Sequence, residues 1–366
     1  MIKYLDSLTY DDIGLIARHK STMTSRSDPD TEINLLHGAK LAAPIIAAPM
    51  DTVCGPEMVI ALAQHGLLGI LHNNCPIIQQ ASDLDYVLKT VSFGPTNQTY
   101  NVGFAIGVAG DYFTRLNALL GVIGKRFPRG IQNNINLFLC FDTANGFSTV
   151  MENAINSIPK VRLDQYRIIT IAGNIMSSEG FLFLEGLGID IVRVGIGTGA
   201  PCSTSVVTGV GRGIVSVIDE CADIPNRKSL ILADGGIKSA GDVVKAIAIG
   251  ADMVMAGNLF AGFDESPGEV RNGKKIFRGM ASFGVAADKN KLNRATKIII
   301  PEGVEKEIDY KGSLQDFIEP FVGGIRASMT YLNCSNIDEI KNLKHEPRTF
   351  VQHSSAAQVH VKPFSS

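Results

Sequence analysis

The sequence holds no apolar run of the roughly 18 residues that a membrane-spanning helix needs. Its opening stretch, MIKYLDSLTYDD, has no apolar core of a secretory signal. These absences lead to the expectation of a cytoplasmic protein with no membrane contact. No sign of charge is in excess either: 34 Lys and Arg face 36 Asp and Glu, a formal net charge of −2, with the basic residues dispersed along the chain. No electrostatic footprint for nucleic acid is present, so nucleic acid is not expected as a partner. The six cysteines, at positions 54, 75, 140, 202, 221 and 334, form no Cys-x-x-Cys pair. That argues against a zinc site and against a disulfide framework, and predicts reduced thiols.

What is present is a series of eight short apolar runs within about 210 residues. They are Pro44–Ala48, Leu68–Leu71, Val102–Ile106, Leu137–Phe141, Arg167–Ile171, Ile189–Val194, Ser229–Ala233 and Asp252–Met255. Segments with helical spacing, such as 56–64 and 240–248, lie between most of them. Continuous apolar strands alternating with amphipathic helices predict a parallel sheet covered by helices, and eight such units predict an α/β fold of the (β/α)8 TIM barrel type. A doubly wound open sheet is the alternative, but no Gly-x-Gly-x-x-Gly follows the first run. The whole chain, residues 1–366, is read as one catalytic barrel. In a barrel, the polar residues just after the runs share the C-terminal rim: Met50, Asp51, His72, Asn73, Asp142, Asn174, Cys202 and Asp234. The polar, lysine-rich stretch after the eighth run, about residues 270–311, is expected to be a mobile flap over the mouth. The tail beyond Asn342 is expected to be peripheral or at a subunit contact.

Cys202 stands in the glycine-rich run Gly195-Ile-Gly-Thr-Gly-Ala-Pro-Cys202-Ser-Thr204 directly after a strand-like segment. Such a loop closes backbone around an anionic ligand while presenting a sulfur. The other five cysteines are expected to be small buried hydrophobes. Four polar positions are weighed between structure and function. Asp51 is either an N-cap for the helix near Pro56 or a rim group, Asp234 and Asp142 are functional or merely structural, and His72 is expected to be a satisfied rim histidine.

The chain resembles the IMP dehydrogenase/GMP reductase family over nearly its whole length. The resemblance is carried by Ala47-Ala-Pro-Met50-Asp51-Thr-Val53, the Cys202 loop, Thr208-Gly-Val-Gly211 and Ala233-Asp234-Gly-Gly236. It continues through Gly262-x-Asp-Glu265-Ser-Pro-Gly-Glu269, Arg278-Gly-Met280-x-Ser282, Tyr310-Lys-Gly312 and Gly323-Gly-Ile-Arg326.

That resemblance implies a barrel, commonly a homotetramer, without the regulatory CBS insertion, that binds a purine mononucleotide (GMP or IMP) and NADPH or NAD at the rim. It implies Cys202 as the nucleophile toward purine C2, with Thr204 as its hydroxyl partner; a thiolate suits an electron-poor carbon. Asp234 is implied for the ribose hydroxyls, and Gly235, Gly236, Gly257 and Asn258 for the phosphate. Gly279 and Met280 are implied along the base, and Glu302 and Gly303 at its N1 edge. Asp142, Asn145, Gly146, Gly173 and Asn174 are implied on the cofactor side. A monovalent cation, K+, is implied at the carbonyls of Gly197, Gly199 and Cys202, as in some dehydrogenases.

The branch is read as GMP reductase rather than IMP dehydrogenase. Ser21-Thr-x-x-Ser25-Arg-Ser-Asp28, Asp142-Thr-Ala-Asn145-Gly146 and Ala172-Gly-Asn174 resemble reductase motifs, and no insertion of about 120 residues follows the second strand. The Arg-Tyr pair with which dehydrogenases activate water is missing, with Arg294-Ala295 in its place. Against this, Glu265–Glu269, Arg278–Met280 and Pro301–Gly303 look dehydrogenase-like, and Phe283 stands where the reductase has a glutamate. Further departures are Asn73 for a lysine, Ala200 for a phosphate-binding serine, Asn258 for a small hydroxyl residue or glycine, and Phe277 without a phenolic OH. A slow or inactive nucleotide-binding homologue is the third reading.

Overall fold

The computed structural model describes residues 5–17, 20–132, 134–197, 204–279 and 305–354. Eight parallel strands close into a barrel in chain order: β1 (Ile45–Ala47), β2 (Leu68–Leu71), β3 (Tyr100–Ile106), β4 (Ile135–Asp142), β5 (Ile169–Ile175), β6 (Ile191–Val194), β7 (Leu230–Asp234) and β8 (Met253–Ala256). β8 pairs back onto β1, with Met255 opposite Ile46, so no strand edge is left open. β2 and β3 bury every residue, as expected where a strand has side chains inside the barrel and helices outside it. The outer helices are α1 (Pro56–Gln64), α2 (Ile77–Ser92), α3 (Tyr112–Arg126), α4 (Thr149–Asn156), α5 (Ser178–Gly186), α6 (Ile214–Ala222), α7 (Ala240–Ile249) and α8 (Leu314–Leu332). The (β/α)8 architecture is the one the apolar runs predict, and each run meets one strand.

Local chemistry sets where helices begin. Ser148, Ser177 and Ser239 cap α4, α5 and α7 by accepting from the backbone N–H groups of Met151, Gly180 and Asp242. In α7 the Asp242 side chain closes a reciprocal capping box. α1 has Gly55 at its N-cap with no side-chain bond, so of the two uses open for Asp51 the cap is excluded.

β5 departs most from its run, beginning at Ile169 and continuing through Ala172-Gly173-Asn174 to Ile175. Gly173 looks like a strand-ending residue but is required by a neighbour. A Cβ on it would lie 2.4 Å from the Arg193 carbonyl oxygen and 2.5 Å from the Arg193 Cβ, closer than any side chain tolerates.

Outside the barrel, Ile13–Leu15 pairs antiparallel with Phe350–Gln352 of the tail. The stretch expected to be a flap has an ordered base, a hairpin of Lys274–Arg278 against Glu305–Asp309; its centre, residues 280–304, lies outside the described residues. Among the described residues no helix is long and apolar enough to cross a membrane. Cys54, Cys140, Cys221 and Cys334 are buried, and Cys75 is partly so. Burial pushes the thiols of Cys140 and Cys221 up to about 12, and that of Cys334 up to about 11, which keeps them protonated and unreactive.

Candidate active site

The C-terminal rim gathers charge around one guanidinium. Arg193 sits inside the apolar β6, with 8% of its surface exposed. Its Nε and Nη2 lie 3.0 Å from Asp234 Oδ2 at the end of β7, and its Nη1 donates to Asp142 Oδ1 at the end of β4. Asn174 of β5 adds its Nδ2, donating to Asp234 Oδ2 at 2.7 Å and to the Gly195 carbonyl at 2.6 Å. Burial works against the Arg193 charge, but Asp234 and then Asp142 outweigh it and hold the guanidinium more firmly protonated than usual. A buried charge with two carboxylates and good geometry is rigid, and it is costly to disturb.

The register explains the reach. Asp142 is opposite Gly173, and Gly173 is opposite Arg193. These three therefore form one row facing the same side, and the missing side chain of Gly173 lets Arg193 extend across β5 to Asp142. Gly146 packs on the same spot: its N–H donates to the Asn174 carbonyl at 2.7 Å, and a Cβ on it would lie 3.0 Å from the Gly173 Cα. Asn145 is exposed beside it, its Oδ1 accepting from the Phe147 N–H at 3.1 Å. Asp142, Asn145, Gly146, Gly173 and Asn174 thus converge at the β4 and β5 ends, and Asn174 links them to Asp234.

A second ion pair fixes the other side of the mouth. Asp51, after β1, accepts from Arg278 Nη2 at 2.6 Å and from Asn74 Nδ2 at 2.6 Å. Arg278 also donates its backbone N–H to Thr52 Oγ1 at 3.2 Å, so the hairpin leading to Gly279 is anchored directly to the rim. His72 Nδ1 accepts from the Asn74 N–H at 3.2 Å. Burial lowers its pKa, against the pull of Asp51 and Asp83.

Gly235 and Gly236, with φ of 102° and 78°, make the left-handed turn after Asp234 that only glycine takes easily. The Gly236 Cα faces the Tyr10 ring, 3.3 Å from where a Cβ would stand. At Gly257 a Cβ would meet Met50 Sδ at 2.7 Å and Phe277 Cζ at 3.8 Å. A cavity of about 410 Å³ opens between the ends of β6 and β7, lined by Gly197, Ser205, Gly211, Gly236, Tyr10 and Lys238. Thr204 begins the short helix Thr204–Thr208 close by. A second cavity, of about 400 Å³, lies beside Asn258 after β8. Cys202, Gly199, Met280, Glu302, Gly303, Ala200 and Phe283 fall outside the described residues.

Residues 7–364 match the model of the IMP dehydrogenase / GMP reductase domain. The chain belongs to the IMP dehydrogenase/GMP reductase family. The family's members are NAD(P)-dependent oxidoreductases. The chain is 33% identical over 398 aligned positions to inosine-5'-monophosphate dehydrogenase of Borreliella burgdorferi, covering 97% of this chain and 96% of the relative. It is 27% identical over 456 positions to the enzyme of that name from Aquifex aeolicus (93% and 92% covered). With the one from Staphylococcus aureus it shares 28% over 454 positions (92% and 92% covered). In the Aquifex comparison about 340 residues of this chain spread over 456 positions, so that relative carries more than about a hundred residues with no counterpart here. In this chain the β2–β3 connection holds a single helix, α2.

Sequence reasoning passed over Arg193 and gave Arg278 no role. For Arg193 a signal was present: one arginine inside Ile191-Val-Arg-Val194 has to be paired when the strand is buried. Arg278 and Asp51 are 227 positions apart, and no local spacing reveals such a contact.

Proposed function

We propose that this protein performs hydride chemistry at C2 of a purine mononucleotide, with Cys202 as the nucleophile. The observation that carries this reading is the arrangement of Asp142 and Asp234 on two sides of the buried Arg193, at the mouth of a barrel of this family. Asp234, oriented by Asn174 and Arg193, accepts hydrogen bonds from the nucleotide ribose. The turn at Gly235 and Gly236, with Gly257 and Asn258 across the mouth, receives the phosphate. Gly279 and Met280 lie along the base, Glu302 and Gly303 read its N1 edge, and Thr204 handles the proton at C2. Asp142 engages Arg193 through Oδ1, while its Oδ2 takes no hydrogen bond among the described residues; that acceptor fits a ribose hydroxyl of a nicotinamide nucleotide, with Asn145, Gly146, Gly173 and Asn174 around it. When bound, the nicotinamide supplies or accepts the hydride. K+ at the carbonyls of Gly197, Gly199 and Cys202, and assembly as a homotetramer of single barrels, belong to the same reading.

Two directions fit. Similar proteins that cover almost all of this chain are named IMP dehydrogenases, which supports oxidation of IMP to XMP with NAD. The motifs Asp142-Thr-Ala-Asn145-Gly146 and Ala172-Gly-Asn174, and the missing Arg-Tyr pair, support the second reading, reduction of GMP to IMP and ammonia with NADPH. Absorbance at 340 nm separates them: it rises with IMP plus NAD for oxidation and falls with GMP plus NADPH for reduction. Nucleotide-dependent thermal stabilisation with no change for either pair marks a binding protein and overturns the catalytic reading.

A further inference from the structure

We propose that the cavity beside Asn258 is a cationic site in which Lys306 and Lys311 grip the 5′-phosphoryl end of the purine nucleotide. The proposal rests on the reading above that Gly257 and Asn258 face that phosphate; what it adds is the source of the charge.

Phe277 and Lys306 are directly opposed across the hairpin, so their side chains share a face. Phe277 is fully buried, with Cζ near the place a Gly257 side chain would occupy. The Lys306 ammonium lies 5.6 Å from the centroid of that ring. Lys311 reaches the same loop from the end of the hairpin, its Nζ donating to the carbonyls of Asn258 at 3.1 Å and Leu259 at 3.0 Å. Lys306 and Lys311 thus line, together with Asn258, one cavity of about 400 Å³.

The carboxylates lining this cavity are Glu307 and Asp309. Both lie on the other face of the hairpin together with Lys274, which is 3.9 Å from Glu307. Among the described residues neither Lys306 nor Lys311 has a carboxylate within ion-pair distance. Burial presses the Lys311 pKa down to about 8, and repulsion from Lys306 adds to the shift. A phosphate between the two relieves that repulsion, and their ammonium groups replace the hydroxyl donors missing at Ala200 and Phe277. The volume is that of a small-ligand pocket, so it admits a diphosphate as well as a monophosphate.

The test measures dissociation constants for IMP, GMP, IDP, GDP, inosine and inorganic pyrophosphate with wild type, Lys306→Gln and Lys306→Arg at low and high salt. Lys306 is exposed, so these variants fold. For Lys306→Gln the expected result is a roughly five- to tenfold loss for every phosphorylated probe. Inosine is expected to be unchanged, the Arg variant to keep the affinity, and the difference to shrink at high salt. Equal phosphate affinities in wild type and Lys306→Gln overturn the proposal, as does an equal loss for inosine. A wild type that binds no purine compound refutes the functional reading instead, and the pyrophosphate comparison still decides the cavity.

Discussion

Arg193 reaches Asp142 across an intervening strand because Gly173, the residue between them in the register, has no side chain. One buried guanidinium on β6 thereby ties β4, β6 and β7 together at the C-terminal end of the barrel.

Removing that guanidinium leaves two largely buried carboxylates without their cation. Arg193→Met is expected to lower unfolding stability by about 3–5 kcal/mol, the usual cost of breaking a buried ion pair from one side. Denaturant unfolding of wild type and variant checks it. A loss below about 1 kcal/mol would show that the network contributes little.

Gly173→Ala places a methyl group where the Arg193 backbone already is. Overpacking of this kind costs about 1–3 kcal/mol, and displacement of Arg193 is expected to reduce turnover as well. The effects of Gly173→Ala and Arg193→Met on stability are expected to be less than additive, since both act on one network. Additive losses would mean that the glycine serves something other than the arginine.

The Asp51–Arg278 pair anchors the hairpin rather than a helix. Arg278→Gln is expected to speed proteolytic cleavage between residues 270 and 311 and to reduce turnover, with little change in the thermal midpoint. Cleavage at the wild-type rate would separate the hairpin's position from this ion pair.

His72 gives the pH dependence its sign. Its folded-state pKa is depressed by burial, from an ordinary value of 6.5. As pH falls below about 6.5 the unfolded chain takes up a proton that the folded protein resists, so stability falls with pH in that window. Above it both states are neutral there and the effect disappears. Between pH 7.5 and 5.5 wild type is expected to lose more stability than His72→Gln, as measured by thermal unfolding in matched buffers. Parallel acid slopes would contradict the assignment.

The barrel was legible in the sequence because strands covered on both faces read as unbroken apolar runs, and eight of them in regular alternation leave few architectures. Asp142 and Asp234 were legible because each ends such a run. Asn174 was placed after its strand and lies within it, because Gly173 carries a loop-like signal for a packing reason. The Arg193 bridge was obscured because one charge in a hydrophobic run is averaged away when runs are sought by composition. Asp51 was open between two uses: Gly55 at the α1 N-cap removes one, and the other rests on a hairpin far away in sequence.

The central claim is tested most directly with Cys202→Ala, by following absorbance at 340 nm with IMP plus NAD and with GMP plus NADPH alongside nucleotide binding by calorimetry. Turnover of the wild-type substrate is expected to vanish while the nucleotide still binds. Turnover at the wild-type rate in that variant would contradict covalent catalysis by this cysteine.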